Sequence, residues 1–187
     1  GEDGPTHQPV EHLMSLRLIP GVDVIRPANS IEVQYAYQYI FTKSNNPKSL
    51  VLTRQSLDYV ETKLSYKNFQ EGAYELINGD DITIFASGSE VNLAIEVSKK
   101  LKKKSVQVIS TPILNQVNTD TLTNLKINEF VFTLELGRSI GWQDYIGKVT
   151  ESFSIETFGK SAPLEDLTNY FEFSAEKIAE KILKYIS

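Results

Sequence analysis

Residues 81–110 read DITIFASGSE VNLAIEVSKK LKKKSVQVIS. The run from Asp81 to Ala86 is apolar and of strand length, and Ser87-Gly88-Ser89-Glu90 turns the chain. Ser87 and Glu90 stand at capping-box spacing, and Val91, Ala94, Ile95, Ser98 and Leu101 then recur on one helical face. A second apolar run follows from Val106 to Ser110. Strand, helix and strand in this order predict a βαβ unit with its strands parallel. The lysines at 99–104 close the helix, where cations suit the helix dipole and a solvated end is the ordinary reading.

Further strands are expected at Phe130 to Leu134 and Phe153 to Thr157, with a short helix between them after Gly141-Trp142. A last helix opens at Ser174 and packs through Ile178, Ile182 and Ile186. Upstream, Pro9 suits a first helical position, with Val10, Leu13, Met14 and Leu18 at helical spacing until Pro20-Gly21. Val22 to Arg26 reads as a strand, and Asn29 with Glu32 as a capping box opening a helix to about Phe41. Tyr35, Tyr37, Tyr39 and Phe41 alternate as a strand would. The cap and the stop at Asn45-Asn46-Pro47 favour helix, and Ser49 to Thr53 gives the next strand. The expected fold class is therefore α/β, with parallel-rich sheets flanked by helices. A first unit spans residues 1–60, a linker with some local order 61–79, and a second unit 80–187.

Composition narrows the function classes. The 187 residues carry no Cys, which removes disulfides, thiolate metal ligands and a Cys nucleophile together. A net charge of −5 disfavours a nucleic-acid partner, and no run of about 20 apolar residues could span a membrane. The chain opens without Met inside a Gly/Pro-rich run, so it reads as a piece of a longer protein.

Three residues carry candidate chemistry. His7 lies in a Gly/Pro-rich loop expected to run into a helix N-terminus, a place that favours anions. A plain surface histidine is the commoner reading there. Asp3, in the same loop, could accept hydrogen bonds from hydroxyls. Arg54 follows an apolar strand at its carboxyl end, where open α/β sheets place ligands, and guanidinium grips phosphate in two places. A solvated arginine is the commoner outcome there too. His12, one helical turn beyond the loop, reads as helix surface or interface. The Ser87–Glu90 turn resembles a phosphate cradle but lacks the glycine pattern of one, and Gly137-Arg138-Ser139 reads as a turn with a surface or interface arginine. With two His and no Cys, a metal site built by this chain alone is not expected.

The segment Gly1-Glu2-Asp3-Gly4-Pro5-Thr6-His7-Gln8-Pro9-Val10-Glu11-His12-Leu13 resembles the active-site segment of the transketolase family. The resemblance continues in register. Ile25-Arg26-Pro27-Ala28 with Asn29 to Glu32, then Leu52-Thr53-Arg54-Gln55-Ser56-Leu57, are similar to the family's RPAD-x-NE and LTRQNLP stretches. Gly141-Trp142 and Phe158-Gly159-Lys160-Ser161-Ala162-Pro163 resemble its GW and FGASAP signatures. Ser56, Asp58 and Lys160 replace the usual Asn, Pro and Ala, and the segment after Pro163 looks shortened.

The resemblance implies a truncated pyrimidine-binding domain followed by a transketolase C-terminal domain. It implies transfer of a two-carbon ketol unit from a ketose phosphate to an aldose phosphate, with thiamine diphosphate supplying the carbanion chemistry. It assigns Asp3 to a sugar hydroxyl, His7 to the donor's carbonyl end and Arg54 to the substrate phosphate. Thiamine diphosphate and Mg²⁺ (or Ca²⁺) are expected in the intact enzyme, held by upstream domains, and neither on this chain alone. A cytoplasmic homodimer acting on sugar phosphates is implied, with the chain alone inactive. Two rivals stand beside this reading: deoxyxylulose-phosphate or dihydroxyacetone synthase, or a non-catalytic α/β dimerisation module. Gln8-Pro9 and Arg54-Gln55 disfavour the first synthase.

Overall fold

The structure, a computed structural model, describes residues 3–42 and 46–186. Gly1, Glu2 and Asn45, used in the reading above, lie outside the described residues.

A single 3-10 turn at Pro5–His7 precedes α1 (His12–Arg17). The helix expected from Pro9 thus starts three residues late. The carbonyl of Val10 accepts from the Arg138 N–H at 2.9 Å instead of opening a helix. Strand β1 (Asp23–Ile25) runs parallel to β2 (Lys48–Leu50), joined by α2 (Ser30–Thr42). The Asn29 side chain caps α2, accepting from the Glu32 N–H at 2.9 Å. The return arm differs from a standard box, because the Glu32 carboxylate accepts from Ala28 N–H at 2.6 Å. Asn29→Ala should therefore lower stability by about 1 kcal/mol, measurable by urea titration. The alternating aromatics split around the helix: Tyr39 is buried on Asp23, while Tyr37 and Phe41 face solvent.

Residues 61–79 carry α3 (Tyr66–Gln70), capped by the Ser65 hydroxyl, and β3 (Tyr74–Ile77). Then come β4 (Ile82–Ala86), α4 (Glu90–Lys100), β5 (Val106–Ser110) and α5 (Thr119–Leu125). The chain ends with β6 (Phe130–Leu134), α6 (Trp142–Ile146), β7 (Glu151–Phe153), α7 (Leu164–Tyr170) and α8 (Ala175–Tyr185). The second sheet has the order β3-β5-β4-β6-β7, with β3 antiparallel and the other pairings parallel. Its central strands are buried on both faces, which explains their unbroken apolar runs.

One face packs Ile84, Val108 and Phe132 under Val91, Ala94 and Val97 of α4 and Ile178 and Ile182 of α8. The other face sets Phe85, Ile109 and Val131 against Met14 of α1 and Trp142. The strand expected at 153–157 instead spans Glu151–Phe153. Its partner β6 ends at Leu134, opposite Phe153, so the ladder stops there. Three short helices, α3, α5 and α7, and strand β3 lie where no element was expected; the Thr-rich α5 carries too few apolar residues to show a period.

Candidate functional site

Two exposed loops meet at the carboxyl end of β2. The strand expected at Ser49 to Thr53 instead spans Lys48–Leu50; the Val51 N–H still bonds the Ile25 carbonyl at 2.9 Å, and Arg54 stands four residues past the strand's end. There Arg54 Nη1 donates to Asp3 Oδ2 at 2.7 Å. The side chains are 75% and 48% exposed, so the pair contributes roughly 0–1 kcal/mol to stability. Arg54 Nη1 is engaged with Asp3, and a guanidinium carries further N–H donors with which it can bind an anion.

His7 is exposed and sits in the 3-10 turn, its Nδ1 3.1 Å from the Thr6 hydroxyl. The turn is held by His7 N–H to Gly4 O at 3.1 Å and Gln8 N–H to Pro5 O at 3.2 Å. The expected helix N-terminus beside His7 is not there, because α1 begins at His12, itself exposed. The structure thus joins Asp3 to Arg54 and sets His7 on the same loop, partnered by Thr6. Behind both loops lies a largely apolar cleft of about 520 Å³, lined by Pro9, Thr53, Leu57, Leu93, Leu136 and Phe171 among others.

The Ser87–Glu90 turn is neither a cradle nor a capping box. Arg26 fills it, donating from Nη1 to Ser87 O at 2.7 Å and to Ser87 Oγ at 3.0 Å. The same nitrogen bonds the Glu90 carboxylate, which is therefore drawn away from the helix cap. Glu90 also accepts from the Leu136 N–H at 3.0 Å. Arg138 sits in the turn expected for it, ion-paired with Glu156 at 2.9 Å.

Sequence reasoning missed the buried group behind this turn. Arg17 of α1 donates from both terminal nitrogens to Glu135 at 2.7 Å each. Glu135 also accepts from Trp142 Nε1 at 2.9 Å and from the Ser87 hydroxyl. Burial alone would raise the Glu135 carboxyl. The Arg17 charge and hydrogen bonds, reinforced by Arg26 and Ser87, bring it down to about 2. Two arginines from the first unit thus meet two glutamates from the second in a buried, charge-balanced seam. The available signal was Arg17 at a position in phase with Val10 and Met14, and Glu135 directly after an apolar strand.

Glu32 forms a second junction. Its carboxylate accepts from Ser110 Oγ at 2.6 Å and Tyr74 OH at 2.8 Å besides Ala28. Burial pushes its carboxyl up, partly offset by these donors.

Among the described residues, no group of three His, Cys, Asp or Glu side chains could hold a metal ion, and no helix is long and apolar enough to cross a membrane.

A small parallel unit, β1 with β2, thus packs beside a five-stranded α/β unit, with the exposed Asp3 and Arg54 loops beyond the end of β2. The transketolase pyrimidine-binding domain matches residues 1–59, and the transketolase-like C-terminal domain matches residues 72–174. The chain belongs to the transketolase family, a family of transferases that works with thiamine diphosphate. It is 34% identical to the transketolase of Aquifex aeolicus over 98% of this chain and 28% of that protein. Its identity to transketolase 1 of Candida albicans is 38%, over 100% of this chain and 28% of the relative. The solved transketolase of Pichia stipitis in complex with sedoheptulose 7-phosphate superposes with a TM-score of 0.88. That pair is 33% identical, covering 100% of this chain and 28% of the other. The chain thus spans 28% to 30% of the length of the curated relatives it matches.

Proposed function

We propose that this chain is the substrate-facing closing part of a cytoplasmic, homodimeric transketolase moving two-carbon ketol units between sugar phosphates. The observation that carries the reading is the exposed Arg54–Asp3 pair, a cation and a hydroxyl acceptor side by side at a strand end. Arg54 binds the substrate phosphate with its further donors while Asp3 fixes the guanidinium and accepts from a sugar hydroxyl. His7, four residues along the same loop, orients the donor's carbonyl end. Its ring presents one nitrogen to the Thr6 hydroxyl, leaving the other for substrate. The thiamine diphosphate used by the family supplies the carbon–carbon bond chemistry when bound. Positioning and charge complementarity are the contributions of this chain.

Residues 1–60 contribute the end of the pyrimidine-binding domain and 80–187 the bulk of the C-terminal domain, whose sheet also takes in β3 from the intervening 61–79. The upstream domains contribute the metal and diphosphate site. The test is a coupled ketol-transfer assay with xylulose 5-phosphate, ribose 5-phosphate, thiamine diphosphate and Mg²⁺. The chain alone and the full-length protein are assayed together. A silent chain beside an active full-length protein is expected. A full-length protein inert towards these sugars would move the assignment to a sister synthase, and turnover by the chain alone would overturn the division of labour.

A further inference from the structure

We propose that Gly159 is a positioning residue for the substrate loop: its missing side chain lets the second unit set the place of His7 through the backbone of Gln8. The proposal rests on the function given above for His7, while its structural half can be tested without it.

The loop has little of its own to hold it. The turn Pro5–His7 buries no side chain, and its two internal bonds close only onto Gly4 and Pro5. Those bonds close the turn on itself and anchor it to no other part of the protein, so a shift of Gln8 strains them too. The turn's place comes from either end. On one side is the exposed Asp3–Arg54 pair. On the other, the backbone of residues 8 to 10 lies against two loops of the second unit. The Val10 carbonyl accepts from Arg138 N–H at 2.9 Å, and a Cβ on Gly137 would stand 3.3 Å from that carbonyl oxygen and from Leu13 Cδ1. At Gly159 the approach is closer still. A Cβ there would lie 2.0 Å from the Gln8 carbonyl oxygen and 3.1 Å from its carbon.

Both partners at Gly159 are backbone, so no rotamer can relieve the overlap. Restoring a van der Waals separation requires the Gln8 carbonyl and the Gly159 backbone to part by on the order of 1 Å, and the part of that shift taken at Gln8 is passed to its neighbour. His7 is the next residue along. A misplacement of that size at a reacting group costs up to about 100-fold in rate.

The experiment uses the full-length enzyme and two variants, Gly159→Ala and Gly137→Ala. Amide hydrogen exchange at His7 and Gln8 is measured alongside steady-state ketol transfer. In Gly159→Ala the His7 and Gln8 amides should exchange roughly tenfold faster, with β4 and β5 unchanged. Its kcat/KM for the donor ketose phosphate should fall about 10- to 100-fold. Gly137→Ala, with the looser contact, should show the same pattern at about threefold. Unchanged exchange at His7 and Gln8 with unchanged kcat/KM overturns the proposal. So does faster exchange spread through β4 and β5, which would make the glycine merely structural. If Gly159→Ala fails to fold, Gly137→Ala decides on the same readouts. If the wild-type enzyme transfers no ketol units, the functional assignment fails and the exchange data alone judge whether Gly159 sets the loop.

Discussion

Glu135→Ala is expected to destabilise the fold by about 3–5 kcal/mol, the usual effect of leaving a buried charge without its partner. The Arg17 side chain is fully buried, and its Nη1–Glu135 Oε2 bond is 2.7 Å. Removing the carboxylate also strands the Trp142 N–H and the Ser87 hydroxyl. Urea denaturation checks the size, and a loss below about 1 kcal/mol would mean that water or a shifted Glu90 replaces the carboxylate. Arg17→Met combined with Glu135→Met should recover much of the loss, because a well-packed apolar pair avoids the desolvation cost.

The same residue predicts an acid limb. Its carboxyl lies at about 2 in the folded chain against an ordinary 4.5. A depressed carboxyl stabilises fully above the unfolded value, so this contribution holds above about pH 4.5 and disappears as pH falls towards 2. The variant should lose that slope. Glu32 acts in the opposite sense: its raised carboxyl favours the fold at low pH and gives up that contribution as pH rises.

Arg54→Ala in the full-length enzyme should raise KM for phosphorylated sugars by about 10- to 150-fold, equivalent to roughly 1.5–3 kcal/mol for a charge-assisted phosphate contact. Stability should hardly change, since the ion pair lost, with Asp3, is solvent-exposed. That combination separates a binding arginine from a structural one. Unphosphorylated sugars supply the internal control, because their KM should move little. Equal KM values in variant and wild type for the phosphorylated donor would remove the assignment.

Most of the second unit could be read from local pattern. β5 and β6 fall at the residues expected, because buried parallel strands are unbroken apolar runs bounded by polar turns. α2 was legible from Asn29 and Glu32 even though its aromatics alternate like a strand. The misplaced caps and boundaries share a cause, which is that distant partners outbid local rules. Glu90 leaves its cap for Arg26, Val10 gives its carbonyl to Arg138, and β7 stops where β6 does. The candidate site was legible as residue types, and Asp3 and Arg54 do meet. That Arg17 and Glu135 would pair could not be seen, because nothing in one stretch announces the buried partner of another.

The seam also orders events during synthesis. Arg17 waits for Glu135, which lies 118 residues further along the chain. At ribosomal speeds of about 5–20 residues per second, that is roughly 6 to 24 seconds. Until Glu135 is made Arg17 has no carboxylate to pair with, and Met14 on the same helix has not yet met Trp142. The docking of α1 onto the second unit is therefore the part of the early chain that must wait longest for its partners.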